Sequence, residues 1–282
     1  MLSVTTIAGV RSRRRELWQR AQTVALVPTM GALHEGHLRL VDRAGELADE
    51  VWVSIFVNPT QFGPGEDFER YPRDFERDRE LLASHGVALL FNPPVKEMYP
   101  RPVATVVDLP DLARGMCGAF RPGHFQGVAL VVTKLLAIVQ PEVALFGAKD
   151  WQQAAIIRRL VEDLNLPVRV EVVPTVREAD GLAKSSRNAY LTPEERQAAT
   201  VLARALHAGE AAIRGGLIDG RAIERRIAST VAGEPLAHLQ YAAAVDPETL
   251  QPLDTVTRRV LLALAVHVGA TRLIDNLLVE VS

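Results

Sequence analysis

Two histidines stand three residues apart in "ALVPTMGALHEGHLRLV" (residues 25–41), with a glycine between them: His34, Gly36 and His37. The apolar run before them reads as a buried strand that ends at Pro28. Gly31 permits a tight turn, and a helix begins near residues 34–36. The unpaired N–H groups and positive dipole end of such a helix attract anions. Residues three apart share a helix face, so His34 and His37 project together. Gly36 leaves the backbone open to close approach by a flat base or a phosphate. Two imidazoles at a helix N-terminus suit hydrogen-bond donation to a polyphosphate. A zinc reading needs three or four ligands, and a single cysteine with scattered histidines offers no obvious set. No Walker-type GxxxxGKS loop is present, and no GxGxxG follows the first strand.

Four more stretches carry chemically capable side chains. "FVNPTQFGPGEDFERYPRD" (residues 56–74) starts where a second strand ends, and offers Asn58 and Gln61. An amide holds a hydroxyl or carboxylate without exchanging a proton, although Asn58 equally suits an ordinary Asn-Pro turn. "LFGAKDWQQAA" (residues 145–155) runs from a strand through Gly147 to Lys149 and Asp150, then into a helix bearing Gln152 and Gln153. Lysine is a mobile point charge, suited to a phosphate whose charge grows during transfer. Asp150 suits ribose hydroxyls or a helix cap. "READGLAKSSRNAYL" (residues 177–191) gathers Lys184, Ser185, Ser186 and Arg187 in what reads as a mobile loop able to close over a triphosphate's outer end. "GMCGAFRPGHFQG" (residues 115–127) adds Arg121 and His124 as anion contacts, while Cys117 reads as a buried thiol.

Those stretches need elements to position them. Apolar segments at residues 23–28, 51–59, 87–94, 143–147 and 168–176 read as strands. Helical patterns at residues 37–48, 74–86, 125–141 and 151–165 alternate with them. Alternation of this kind predicts an α/β fold with a mostly parallel sheet, helices on both faces, and ligands beyond the carboxyl ends of the strands. The pattern changes between about residues 176 and 188. Thr192, Pro193 and Glu195 are spaced as a capping box that opens a helical run to about residue 216. A second helix near residues 220–232 and clustered strands suggest a smaller α+β unit.

Bulk properties narrow the class. The 282 residues are 48% hydrophobic and 23% charged, as in an ordered globular chain. A net charge of −2 lacks the basic excess of a non-specific nucleic-acid binder. One cysteine excludes an internal disulfide and fits a reducing compartment. No apolar run approaches the roughly 18 residues of a membrane span. The start, "MLSVTTIAGVRSRRRELWQR", faintly resembles a transit peptide, but a core strand follows directly. Arg11, Arg13, Arg14 and Arg15 are therefore read as a solvated helix face.

Taken together, "PTMGALHEGH", "NPTQF", "FGAKDWQQ", "READGLAKSSRN" and "RPGHF" closely resemble the pantothenate synthetase family of ATP-dependent pantoate–β-alanine ligases. The resemblance covers essentially the whole chain, in order. The HxGH element alone resembles only the wider nucleotidyltransferase superfamily. The resemblance implies a Rossmann-like domain over residues 1–183 for ATP and pantoate, and an α+β lid over residues 184–282. It implies a cytoplasmic homodimer using Mg²⁺, with no nucleic-acid or membrane partner. The implied reaction joins (R)-pantoate to β-alanine through pantoyl adenylate, releasing pyrophosphate and AMP.

Residue roles follow from the same resemblance. His34 and His37 would contact ATP phosphates, and Lys149 would stabilise the pentavalent α-phosphorus. Ser185, Ser186 and Arg187 would hold the outer phosphates, with Gly147 and Asp150 at the ribose. Met30, Gly31, Gly36, Val176 and Lys184 complete the implied ATP set. Gln61 and Gln153 would hold pantoate in a pocket shaped by Pro28, Met30 and Asn58, and Arg121 and His124 would lie near the β-alanine route. Lys184 departs from the family, which usually has an apolar residue there, and is expected to play a modest part. A second reading is another HxGH enzyme that moves AMP onto a phosphorylated acceptor; a third is a non-catalytic nucleotide- or RNA-binding module. Residues 103–107 read as a β-rich edge able to pair across a two-fold axis.

Overall fold

The computed structural model describes residues 1–281. In chain order it forms β1 (Leu2–Val4), α1 (Ile7–Gln19), β2 (Val24–Thr29), α2 (Glu35–Gly45), β3 (Glu50–Ile55), α3 (Phe75–Ser84), β4 (Leu89–Phe91) and α4 (Val95–Met98). Then come α5 (Pro110–Ala113), α6 (Cys117–Phe120), α7 (His124–Val139), β5 (Val143–Gly147), α8 (Trp151–Asp163) and β6 (Arg169–Val173). The remainder is α9 (Pro193–Ala198), α10 (Val201–Arg214), α11 (Gly220–Ala232), β7 (Ala237–Val245), β8 (Arg259–Val268) and β9 (Thr271–Glu280). The chain divides into two compact units. The first takes Met1–Leu109, Arg121–Ala148 and Ile156–Pro174. The second takes Pro110–Phe120, Lys149–Ala155 and the chain from Thr175 onwards.

The first unit is a Rossmann-like parallel sheet in the order β1-β4-β3-β2-β5-β6. Its central strand shows why the sequence chooses this layering. Alternate residues of a strand point to opposite faces. On one face, Val24 and Leu26 join Trp52, Phe91, Phe146 and the apolar side of α7. On the other, Ala25 and Val27 meet Leu40 and Val41 of α2 and Leu82 of α3. A strand buried on both faces must be apolar throughout, which is why "VALV" shows no polar alternation. Strand order reverses between β2 and β5, so ligand chemistry is expected beyond their carboxyl ends.

The second unit carries the antiparallel sheet β7-β8-β9. Val260, Leu262, Leu264 and Val266 of β8 form its core with Leu202, Leu206, Ile223 and Ile227 of α10 and α11. The capping box at Thr192 and Glu195 forms as spaced in the sequence. The α/β class with a smaller α+β unit is borne out.

Several expectations are corrected. A sixth strand, β1, lies at the sheet edge, too short to carry a pattern. Arg14 is not on a solvated face: it is 2% exposed. Its guanidinium donates to the carbonyls of Gln140 (3.0 Å) and Gln22 (3.2 Å) and pairs with Glu142. Glu142 in turn accepts the Val24 N–H at 2.7 Å, so the buried charge ties α1 to the start of the central strand. The helical run after Thr192 breaks into α9 and α10. Residues 103–107 form no strand.

Candidate functional site

The β2–α2 connection builds the histidine pair from local bonds. His34 is the N-cap of α2, and its Nδ1 accepts the Gly36 N–H at 3.1 Å. His37 Nδ1 accepts the His34 N–H at 3.3 Å, closing a capping box made of two imidazoles. Caps of this kind stabilise a helix by about 1 kcal/mol each. The rings lie 4.2 Å apart. An Nδ1 that accepts carries no proton, so the hydrogen of each neutral ring sits on Nε2. Both imidazoles are thereby set as Nε2–H donors. At Gly36 a second reason adds to the expected one. A Cβ there would lie 2.8 Å from His34 Cε1, so the space is used by the His34 ring itself.

The turn before the histidines is held from α3. Asp78 accepts the N–H groups of Ala32 and Leu33, each at 2.8 Å. Ala32 sits at φ +51°, a left-handed conformation that costs a non-glycine residue about 1 kcal/mol. Burial pushes the Asp78 carboxyl above its ordinary value, and the two backbone bonds and nearby Arg77 offset this only in part.

Beyond β3, a polar knot holds the amides. Asn58 is 1% exposed and caps the 3₁₀ turn Pro59–Gln61. Its Nδ2 donates to Gln61 Oε1 and to the Gly127 carbonyl, both at 3.1 Å, while its Oδ1 accepts from Tyr99 Oη at 2.9 Å. Gln61 Nε2 donates to Met30 Sδ at 3.2 Å. Asn58 thus both caps the turn and orients Gln61. Helix α7 reaches this turn because Gly127 has no side chain: a Cβ would fall 2.2 Å from the Thr60 carbonyl oxygen. Arg121 is bidentate on Glu66 (2.7 and 2.5 Å) and donates to His124 Nε2 at 3.0 Å. His124 Nδ1–H donates to the Gln61 carbonyl at 2.8 Å. Burial raises the Glu66 carboxyl, but the bonds and charge of Arg121 outweigh this and leave it below its ordinary 4.5. The pair therefore stabilises the fold above that value, and the contribution is lost as pH falls through the lowered one.

In the second unit, Lys149 and Asp150 lie in the turn Ala148–Asp150, with 4.0 Å between Lys149 Nζ and Asp150 Oδ2. Asn276 of β9 donates to the Lys149 carbonyl at 2.7 Å. Gln152 is turned inward, accepting the Cys117 N–H and donating to the Leu112 and Gly115 carbonyls. Gln153 is half-buried, and its amide makes no hydrogen bond among the described residues. Residues 176–184 form a closed hairpin and not an open loop. Lys184 N–H donates to the Val176 carbonyl, and Gly181 turns at φ +91°. Arg177 grips buried Asp275 of β9 at 2.6 and 3.0 Å and reaches the carbonyls of Gly181 and Asn276. Lys184 pairs with Glu178 at 3.2 Å. Ser185 caps the 3₁₀ turn Ser186–Tyr190, its Oγ accepting the Arg187 N–H. Cys117 is buried, as expected, with its sulfur 3.3 Å from Tyr241 Oη.

The sequence model of the pantoate-beta-alanine ligase family matches residues 2–278. The chain belongs to this family. It is 54% identical to the pantothenate synthetase of Moorella thermoacetica, with 98% of each chain covered. It is likewise 54% identical to that of Heliobacterium modesticaldum, over 100% of both chains. The solved pantothenate synthetase of Thermus thermophilus superimposes with a TM-score of 0.93 at 49% identity, covering 98% of this chain and 99% of that one. The pantoate-beta-alanine ligase of Francisella tularensis, complexed with beta-gamma ATP and beta-alanine, gives a TM-score of 0.82 at 36% identity, covering 99% and 97%.

For this member of the pantoate-beta-alanine ligase family, sequence reasoning missed the supports. Asp78, Glu66, Arg177, Asp275 and Asn276 were not singled out. One local signal existed: Asp78 lies four residues before buried Leu82, on the inward stripe of α3. Arg177 and Asp275 are 98 residues apart, and nothing in either neighbourhood announces the pair.

Proposed function

We propose that this chain condenses (R)-pantoate with β-alanine in two steps at the expense of ATP. The pantoate carboxylate attacks the α-phosphorus, forming pantoyl adenylate and expelling pyrophosphate. The β-alanine amine then attacks the activated carbonyl, forming pantothenate and expelling AMP. A carboxylate is already nucleophilic, so the first step needs alignment and charge stabilisation more than a base. The observation that carries the reading is the pair of imidazoles whose Nδ1 atoms cap the start of α2, in a chain matched along its length by this family.

His34 and His37 donate to the phosphates near the α-phosphorus, with backbone from Met30, Gly31 and Gly36 alongside. Lys149 meets the charge that grows on the α-phosphate. Ser185, Ser186 and Arg187 hold the outer phosphates, while Val176, Gly147 and Asp150 face the nucleoside. An added Cβ at Gly147 would meet nothing within 4 Å, which suits a ligand at that backbone. Gln61 and Gln153 hold pantoate, with Pro28, Met30 and Asn58 shaping its pocket. Arg121 and His124 border the β-alanine route. Lys184, paired with Glu178, has a minor electrostatic part. In this assignment residues 1–183 bind ATP and pantoate, and residues 184–282 act as a lid. No group of three or more His, Cys, Asp and Glu among the described residues fits a metal. Mg²⁺, where bound, would be held largely by the triphosphate and would offset part of its charge. No described helix is long and apolar enough to cross a membrane. A cytoplasmic homodimer completes the proposal.

The test is AMP release with ATP, Mg²⁺, pantoate and β-alanine, each omitted in turn. AMP accumulates at catalytic rate only with both organic substrates present. Pantoate-independent exchange of pyrophosphate into ATP, or exchange driven by a phosphorylated acceptor, would replace this reading with the AMP-transfer one.

A further inference from the structure

We infer that Asp78 is the positioning residue for the histidine pair. The inference rests on the proposal that His34 and His37 meet the phosphates of ATP. Helix α3 is anchored in the core by Leu82, and Asp78 lies one turn earlier on the same side, 1% exposed. Both carboxylate oxygens are used: Oδ2 accepts the Ala32 N–H and Oδ1 the Leu33 N–H. The left-handed Ala32 is kept in place by the first bond, and the second fixes the residue just before the N-cap. Gly31, at φ +83°, admits this approach, since a Cβ there would stand 3.1 Å from Oδ2. Arg77 Nη1 closes the arrangement from the same helix, donating to the Leu33 carbonyl at 3.2 Å.

Two consecutive residues, Ala32 and Leu33, are thus gripped from α3, and the next residue is His34. Where the imidazoles point is set by where Asp78 holds Ala32 and Leu33. The charged groups facing Asp78 are Arg77 and Asp74, both of α3 and its cap; the loop presents backbone N–H groups. A carboxylate is the one short side chain with two acceptors for two neighbouring N–H groups. Asparagine copies its shape but turns an NH₂ toward one of them. It also removes a buried charge that the fold does not fully compensate, so folding and positioning separate in this variant.

The experiment compares the parent with Asp78→Asn and Asp78→Ser. It reads the ATP dissociation constant, pantoate-dependent exchange of pyrophosphate into ATP per folded molecule, the KM for pantoate, and the thermal midpoint. Expected for Asp78→Asn are roughly tenfold weaker ATP binding and a tenfold or greater loss of exchange rate at saturating substrates. Pantoate KM stays within about threefold and the thermal midpoint within a few degrees, with Asp78→Ser in the same direction. ATP binding and exchange within twofold of the parent in a folded variant overturn the inference. So does failure of both variants to fold, which would make Asp78 a folding residue only. Absence of pantoate-dependent exchange in the parent sinks the functional reading instead, and the ATP-binding comparison then still decides the role of Asp78.

Discussion

The two regions proposed to handle phosphate are built on different plans. The β2–α2 loop of the first unit is largely self-supporting: His34, Gly36 and His37 cap one another within four residues, and one remote carboxylate, Asp78, steadies the approach. In the second unit, Lys149 and the segment from Val176 to Arg187 depend on a distant strand. Asn276 holds the Lys149 carbonyl, and Asp275 beside it holds Arg177 at the base of the hairpin. Adjacent residues of β9 therefore fasten both cationic segments. The cap's own bonds span three residues or fewer and lean on one carboxylate from α3, whereas the anchors of the second unit are only as good as the sheet that presents them. The difference is one of range: the histidine pair is capped by its own neighbours, and the cationic segments are tied to two adjacent residues of one distant strand.

That contrast can be broken by mutation. The largest effect is expected from Lys149→Ala, which removes the donor proposed to meet the charge that develops on the α-phosphate. Turnover should fall by two or more orders of magnitude in the AMP-release assay, the usual scale for such a donor. Activity within a few-fold of the parent would take Lys149 out of the role assigned to it.

Next in size is Arg177→Ala. It leaves the buried Asp275 carboxylate without its bidentate partner, a change that costs about 3 kcal/mol where a buried pair is broken. Denaturant unfolding should show this loss, together with weaker ATP binding from the loosened hairpin. A stability change under about 1 kcal/mol would mean that the β9 anchor is dispensable, and the contrast with the self-capped loop would fail.

The smallest effect tests the local plan. Gly36→Ala drives a Cβ against the His34 ring, so the ring must swing aside while Asp78 still holds Ala32 and Leu33. A rise of about fivefold in the KM for ATP is expected, with the thermal midpoint little changed because one cap is worth only about 1 kcal/mol. An unchanged KM would show that the nucleotide does not sense the His34 ring.

Legibility followed range. The order of strands and helices was readable because burial on one or two faces imposes a period within each segment. The capping box at Thr192 and the start of α2 were readable because their bonds span three residues or fewer. At Gly36 the spacing marked a small residue but did not show that the His34 ring lies against it. The "READGLAKSSRN" segment looked like a free loop because its hairpin depends on Gly181 turning and on Arg177 finding β9.

The amino-acid sequence by itself determined the alternation of strands and helices and the two unit types, which are properties of local pattern, and it carried the motifs by which the chain resembles its family. Only the tertiary structure decided which charged residues are buried and what they hold: Arg14 at the start of the central strand, Asp78 under the histidine turn, Asp275 under the hairpin. It alone brought Gly127 against Thr60. The reason is physical. A charge is buried only when its partners arrive from other segments to satisfy it, and no stretch of sequence contains the segments that fold against it.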